Sequence, residues 1–82
     1  MSLPECELIS SYAFRYCYNL ISLYLMSTSV CTLGINVFVS TPIGGYSTVA
    51  GTYGSIYVPS SLLSNYKIAT NWSSFSSRFV GI

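Results

Sequence analysis

The chain has 82 residues, 51% of them hydrophobic, with three basic and two acidic side chains and no histidine. That composition excludes a disordered segment, which needs low hydrophobicity and high net charge. It also excludes a nucleic-acid binder, because three cations cannot neutralise a row of phosphates. With no His, no Asp and both glutamates (Glu5 and Glu7) near the N-terminus, most catalytic kits are missing, and the chain reads as a non-enzymatic binding or structural module.

A chain of this length forms one small domain, whose single core needs staples, metal or partners to be more than marginal. Cys6, Cys17 and Cys31 cannot all pair within one chain. Their spacings match no zinc pattern, so no metal or cofactor is expected, and the thiols are expected to be buried as small hydrophobes. The N-terminus carries Glu5 and Glu7 where a signal peptide would be basic. From Tyr16 to Tyr66 no residue is charged, and the stretch 18–39 is long enough to span a bilayer. Asn19, Asn36, Gly34 and several Ser and Thr interrupt it, and its flanks lack basic clusters, so a membrane span is the weaker reading.

Repetition accounts better for the missing charge. Ile9-Ser-Ser-Tyr-Ala-Phe14 lies over Leu33-Gly-Ile-Asn-Val-Phe38 at a spacing of 24 residues. Leu23-Tyr-Leu25 and Ile56-Tyr-Val58 are matching strand-like triplets 33 residues apart. The excess of nine residues falls in the glycine-rich 44–54, which reads as a surface loop carrying Tyr46 and Tyr53 rather than a phosphate cradle. Pro59-Ser60-Ser61 opens a helix over about 60–70, with Ser60 or Ser61 as N-cap and Leu62, Tyr66 and Ala69 on one face. Asn71 ends the helix, Trp72 folds back to plug the end of the core, and the last residues from Arg78 form a strand. Lys67 and Arg78 are expected to be solvated, and the sequon at Asn71 carries little weight.

Those residues resemble the BspA-like leucine-rich-repeat proteins of bacteria. The repeat order Cys, Ile, Ala-Phe, Cys, Leu and a short aliphatic strand reads here as Cys6, Ile9, Ala13-Phe14, Cys17, Leu20 and Leu23-Tyr-Leu25. The second unit keeps Cys31, Leu33 and Phe38, but has Thr41-Pro42-Ile43 where the second Cys and Leu would stand. The segment from Ile56-Tyr-Val-Pro59 to Ile82 is similar to the terminal cap of that family. The resemblance implies a leucine-rich-repeat solenoid fragment: short parallel strands, irregular coils and a C-terminal capping helix. It implies about two and a half repeats over 1–58 and a cap over 59–82. It also implies an adhesion or protein-interaction role at the cell surface or in secretion, although this sequence shows no signal peptide and reads as a C-terminal fragment or a very short member.

Strand alternation turns Tyr24 and Tyr57 outward, side by side on the face where repeat proteins hold ligands. A protein or glycan is the expected ligand there, although the two rings have an equal claim to packing only on each other. The other end of the stack exposes Leu3, Cys6, Ile9 and Phe14, which predicts a homo-oligomer, most simply a dimer, through that end. The alternative reading is a purely structural cap whose only partner is more of the same stack.

Overall fold

The computed structural model describes residues 2–3, 5–44 and 54–82. Six short strands form two sheets. Strands β1 (Ser2–Leu3), β3 (Ser22–Leu25), β5 (Ser55–Val58) and β6 (Phe79–Gly81) lie side by side in that order, and β2 (Leu8–Ile9) pairs with β4 (Thr32–Leu33). Every pairing is parallel. Parallel neighbours require the chain to travel round and return in the same direction, so each pair marks one circuit.

The length of each circuit is read from the register. Ser2 faces Tyr24, Leu8 faces Thr32, Ser22 faces Ser55 and Ile56 faces Phe79. The 24-residue spacing holds well beyond β2 and β4. The amides of Tyr12, Phe14 and Tyr16 donate to the carbonyls of Ile35, Val37 and Val39, and the Phe14 ring stacks on Phe38 with centroids 6.0 Å apart. The backbone repeats with the side chains: φ is positive at Tyr12 and Asn36, and again at Tyr16 and Ser40. Gly34 marks where one circuit presses on the other, since an added Cβ would lie 2.4 Å from the Ser11 amide nitrogen.

The core follows from strand alternation. Leu23, Leu25, Ile56 and Val58 have no exposed surface, and Ile9, Leu33, Val37, Phe38 and Ile43 join them. The segment 18–39 that is long enough to span a bilayer holds β3 and β4, and among the described residues no helix is long and apolar enough to cross a membrane. The 33-residue circuit between β3 and β5 closes with Gly54 donating its amide to Pro42. Tyr46, Tyr53 and most of the glycine-rich loop lie outside the described residues.

After β5 the chain makes a 3-10 turn over Ser60–Leu62 and then the helix α1 (Leu63–Ile68). The helix is shorter than its expected span, and neither Ser60 nor Ser61 caps it: Pro59 precedes the turn, no side chain bonds there, and the Ser60 hydroxyl donates to the Ile82 carbonyl instead. Tyr66 is buried, with Leu62 and Ala69 packed on the core beside it. A second 3-10 stretch, Ser73–Arg78, leads into β6, which pairs with β5.

Candidate binding face and strand edges

The outward face of the larger sheet is a row of side chains in register. Ser2, Tyr24, Tyr57 and Val80 stand side by side, one from each strand. Burial alternates along β3 and β5, which puts Tyr24 and Tyr57 on the face opposite the core. Their rings stack 4.5 Å apart at 14°, a close offset pair with one surface against its partner and the other turned outward. Tyr24 is 36% exposed and Tyr57 half-buried. Met26, Val80 and Ile82 extend the exposed apolar strip around the pair, and half-buried Ser22 and Ser55 add hydroxyls beside it. Such a strip supplies flat aromatic area with polar handles, which suits a ring-bearing or extended ligand. Both sequence-predicted residues of the face are thus brought together, although their mutual stacking uses part of the area each would otherwise offer.

At the other candidate surface the predicted residues separate. Leu3, Cys6 and Phe14 are half-buried, whereas their counterparts one circuit later, Leu25 and Phe38, are sealed. Ile9 is only 4% exposed, so it belongs to the core and is closed to a partner. Its neighbour Leu8 is the exposed apolar residue of β2, at 61%. On the far sides of β1 and β2 no strand pairs among the described residues. These edges leave Leu8 facing outward from the ladder, because Glu7 and Ile9 carry the bonds to β4.

The opposite edge, on β4, is closed by side chains. The Cys31 amide donates to the Tyr66 hydroxyl at 2.9 Å, the Trp72 indole donates to the Cys31 carbonyl at 2.6 Å, and the Asn71 amide donates to the Leu33 carbonyl at 2.7 Å. Cys31 and Leu33 are the positions a further strand would bond, since Thr32 and Gly34 already bond β2. Tyr66, Asn71 and Trp72 therefore do what a next strand would do. Asn71 reaches its position by adopting positive φ, as asparagine does readily. The helix-ending Asn and the buried Trp are legible in sequence; the hydrogen bonds that make them an edge cover are not.

The cysteines differ in environment. Cys31 is buried, Cys6 half-buried and Cys17 exposed, which corrects the expectation of three buried thiols. The repeat position of Cys17 lies on the outer turn, where no second layer covers it. Burial first, and then the neighbouring Cys6, push the Cys31 thiol up to about 12. Burial also pushes the Tyr66 phenol up, against the lowering effect of the Cys31 amide that it accepts. Among the described residues no group of three or more metal-ligating side chains occurs.

Compared with known proteins, the chain matches no family model, no curated protein and no solved structure.

Proposed function

We propose that this chain is a non-enzymatic binding module built as the end of a leucine-rich-repeat stack, of the kind found in BspA-like bacterial surface proteins, and that its Tyr24–Tyr57 face holds a protein or glycan ligand. The observation that carries the reading is the in-register tyrosine pair, exposed on a sheet face and flanked by Met26, Val80 and Ile82. The repeat reading draws support from parallel pairing at near-constant spacing and from a C-terminal segment whose side chains cover the last strand edge. Aromatic side chains dominate binding energy at interfaces because they bury large area at low entropic cost.

The experiment is a binding screen against immobilised glycans and proteins, read for the wild type and for a Tyr24→Ala/Tyr57→Ala variant. Any ligand held by this face is lost in the double variant while its circular dichroism is unchanged. Retention of every wild-type ligand by a folded double variant contradicts the reading.

A second reading rests on a separate observation: Leu3 and Phe14 are half-covered where Leu25 and Phe38 are sealed, and β1 and β2 have open edges. Exposed edges and a partly uncovered apolar ladder favour association, so this end joins a second copy and the chain acts as a structural end-piece.

A further inference from the structure

The first circuit carries a second cluster of aromatic residues, away from the Tyr24–Tyr57 row. The Arg15 guanidinium sits 4.9 Å from the Tyr12 ring centroid and 4.8 Å from that of Tyr16. Tyr16 in turn stacks with Tyr18, centroids 6.1 Å apart. All four side chains are exposed. From Tyr16 to Ser22 the surface forms an open groove of about 700 Å³, with Asn19, Leu20 and Ile21 in its lining.

Three features distinguish this cluster from ordinary surface. First, Arg15 engages only ring faces: among the described residues its N–H donors meet no carboxylate, and both glutamates, Glu5 and Glu7, are described. A guanidinium held by cation–π contacts keeps its planar fork of donors for an anion. Second, Tyr12 and Tyr16 both adopt positive φ, which is costly for bulky residues. One circuit later the same backbone positions hold Asn36 and Ser40, so the coil needs the conformation but not the ring. Third, the backbone beneath is fixed, since the amides of Tyr12, Phe14 and Tyr16 all bond the next circuit. A ligand meeting these rings and this cation meets them already in place.

We propose that Arg15, held between Tyr12 and Tyr16, is the anion-reading group of a carbohydrate site whose sugar ring rests in the adjoining groove on Tyr16 and Tyr18, and that the site selects sugars bearing a carboxylate. The guanidinium fork matches a carboxylate in bidentate fashion. The stacked tyrosines offer a flat platform for the apolar face of a pyranose, and Asn19 lines the groove as a partner for ring hydroxyls. This site is independent of the Tyr24–Tyr57 face, and its failure leaves that face untouched.

The test is a titration followed by NMR on the whole chain, with glucuronic acid, methyl glucoside and inorganic sulfate as separate probes. Glucuronate is expected to bind at least about tenfold more tightly than methyl glucoside, as a charge-assisted pair implies, and to shift the Arg15 side-chain N–H resonance. Arg15→Gln is expected to erase that preference. Tyr18→Ala is expected to weaken both sugars, and Tyr24→Ala/Tyr57→Ala to leave both unchanged. Equal binding of the two sugars, no binding of glucuronate at millimolar concentration, or sulfate binding as tightly as glucuronate would overturn the proposal. So would an Arg15→Gln chain, folded by its amide spectrum, that keeps the preference for glucuronate.

Discussion

The Cys31 thiol has no exposed surface, and burial, with Cys6 beside it, moves its pKa from 9.0 up to about 12. The folded chain therefore keeps a proton that the unfolded chain releases at lower pH. A group raised in this way contributes its full stability below the unfolded value near 9.0 and loses it as pH climbs toward 12. The buried Tyr66 phenol, also raised, acts in the same direction. Urea unfolding is expected to give a lower midpoint at about pH 10.5 than at about pH 7.5, with a smaller difference in a Cys31→Ala variant. A midpoint that rises with pH across that window contradicts this environment for Cys31. The residue scale also shows where sequence reading stops. That Cys31 is a buried hydrophobe is legible from its place in the repeat, but Cys17 occupies an equally repeat-like position and is exposed. A cysteine's type and spacing carry no information about whether another layer covers it.

At the scale of elements, the segment after β5 stabilises the fold by hydrogen bonds as well as by packing. Trp72 and Tyr66 meet edge to face with centroids 5.4 Å apart, and Phe79 lies against both. Each of the two also satisfies a backbone group of Cys31 that is otherwise buried without a partner. Tyr66→Phe keeps the ring and removes the hydroxyl, orphaning the Cys31 amide, which costs about 1–3 kcal/mol. Trp72→Phe orphans the Cys31 carbonyl and leaves a void as well, so it costs more. Lys67→Ala, on the exposed side of α1, is expected to change stability by less than about 0.5 kcal/mol. Denaturant midpoints of the three variants check this order, and a neutral Tyr66→Phe contradicts the edge-covering role. The helix and its buried face were readable from Leu62, Tyr66 and Ala69 at helical spacing. The N-cap was not, because Ser60 is drawn to the Ile82 carbonyl, a partner 22 residues away that no local pattern reveals.

For the whole molecule, the two ends of the stack differ. The β4 edge is covered by Tyr66, Asn71 and Trp72, while β1 and β2 are open among the described residues. One covered and one open end favour closed pairs over fibres, because a head-to-tail contact needs both ends free. Light scattering is expected to show a dimer at micromolar concentration, and Leu8→Lys to shift it toward monomer; a wild-type monomer contradicts the self-association reading. Its residues were only partly legible, since Ile9 is taken into the core and Leu8, one position earlier, is the exposed member of the strand. A shift of one residue along a strand exchanges the two faces, and without the register no pattern decides between them.

The 51-residue stretch without charge is explained at this scale too. Its inward positions form the apolar ladder, and outward ones carry Ser, Thr, Tyr and Asn. Both candidate surfaces depend on the same geometry: circuits of 24 and 33 residues that lay Phe14 on Phe38 and Tyr24 on Tyr57. The most direct measurement is a proton–proton NOE spectrum of the chain with labelled aromatic rings. Cross-peaks between the rings of Tyr24 and Tyr57, and between those of Phe14 and Phe38, are the predicted result. A folded chain that lacks the Tyr24–Tyr57 cross-peaks would contradict the stacked-circuit account and the binding face built on it.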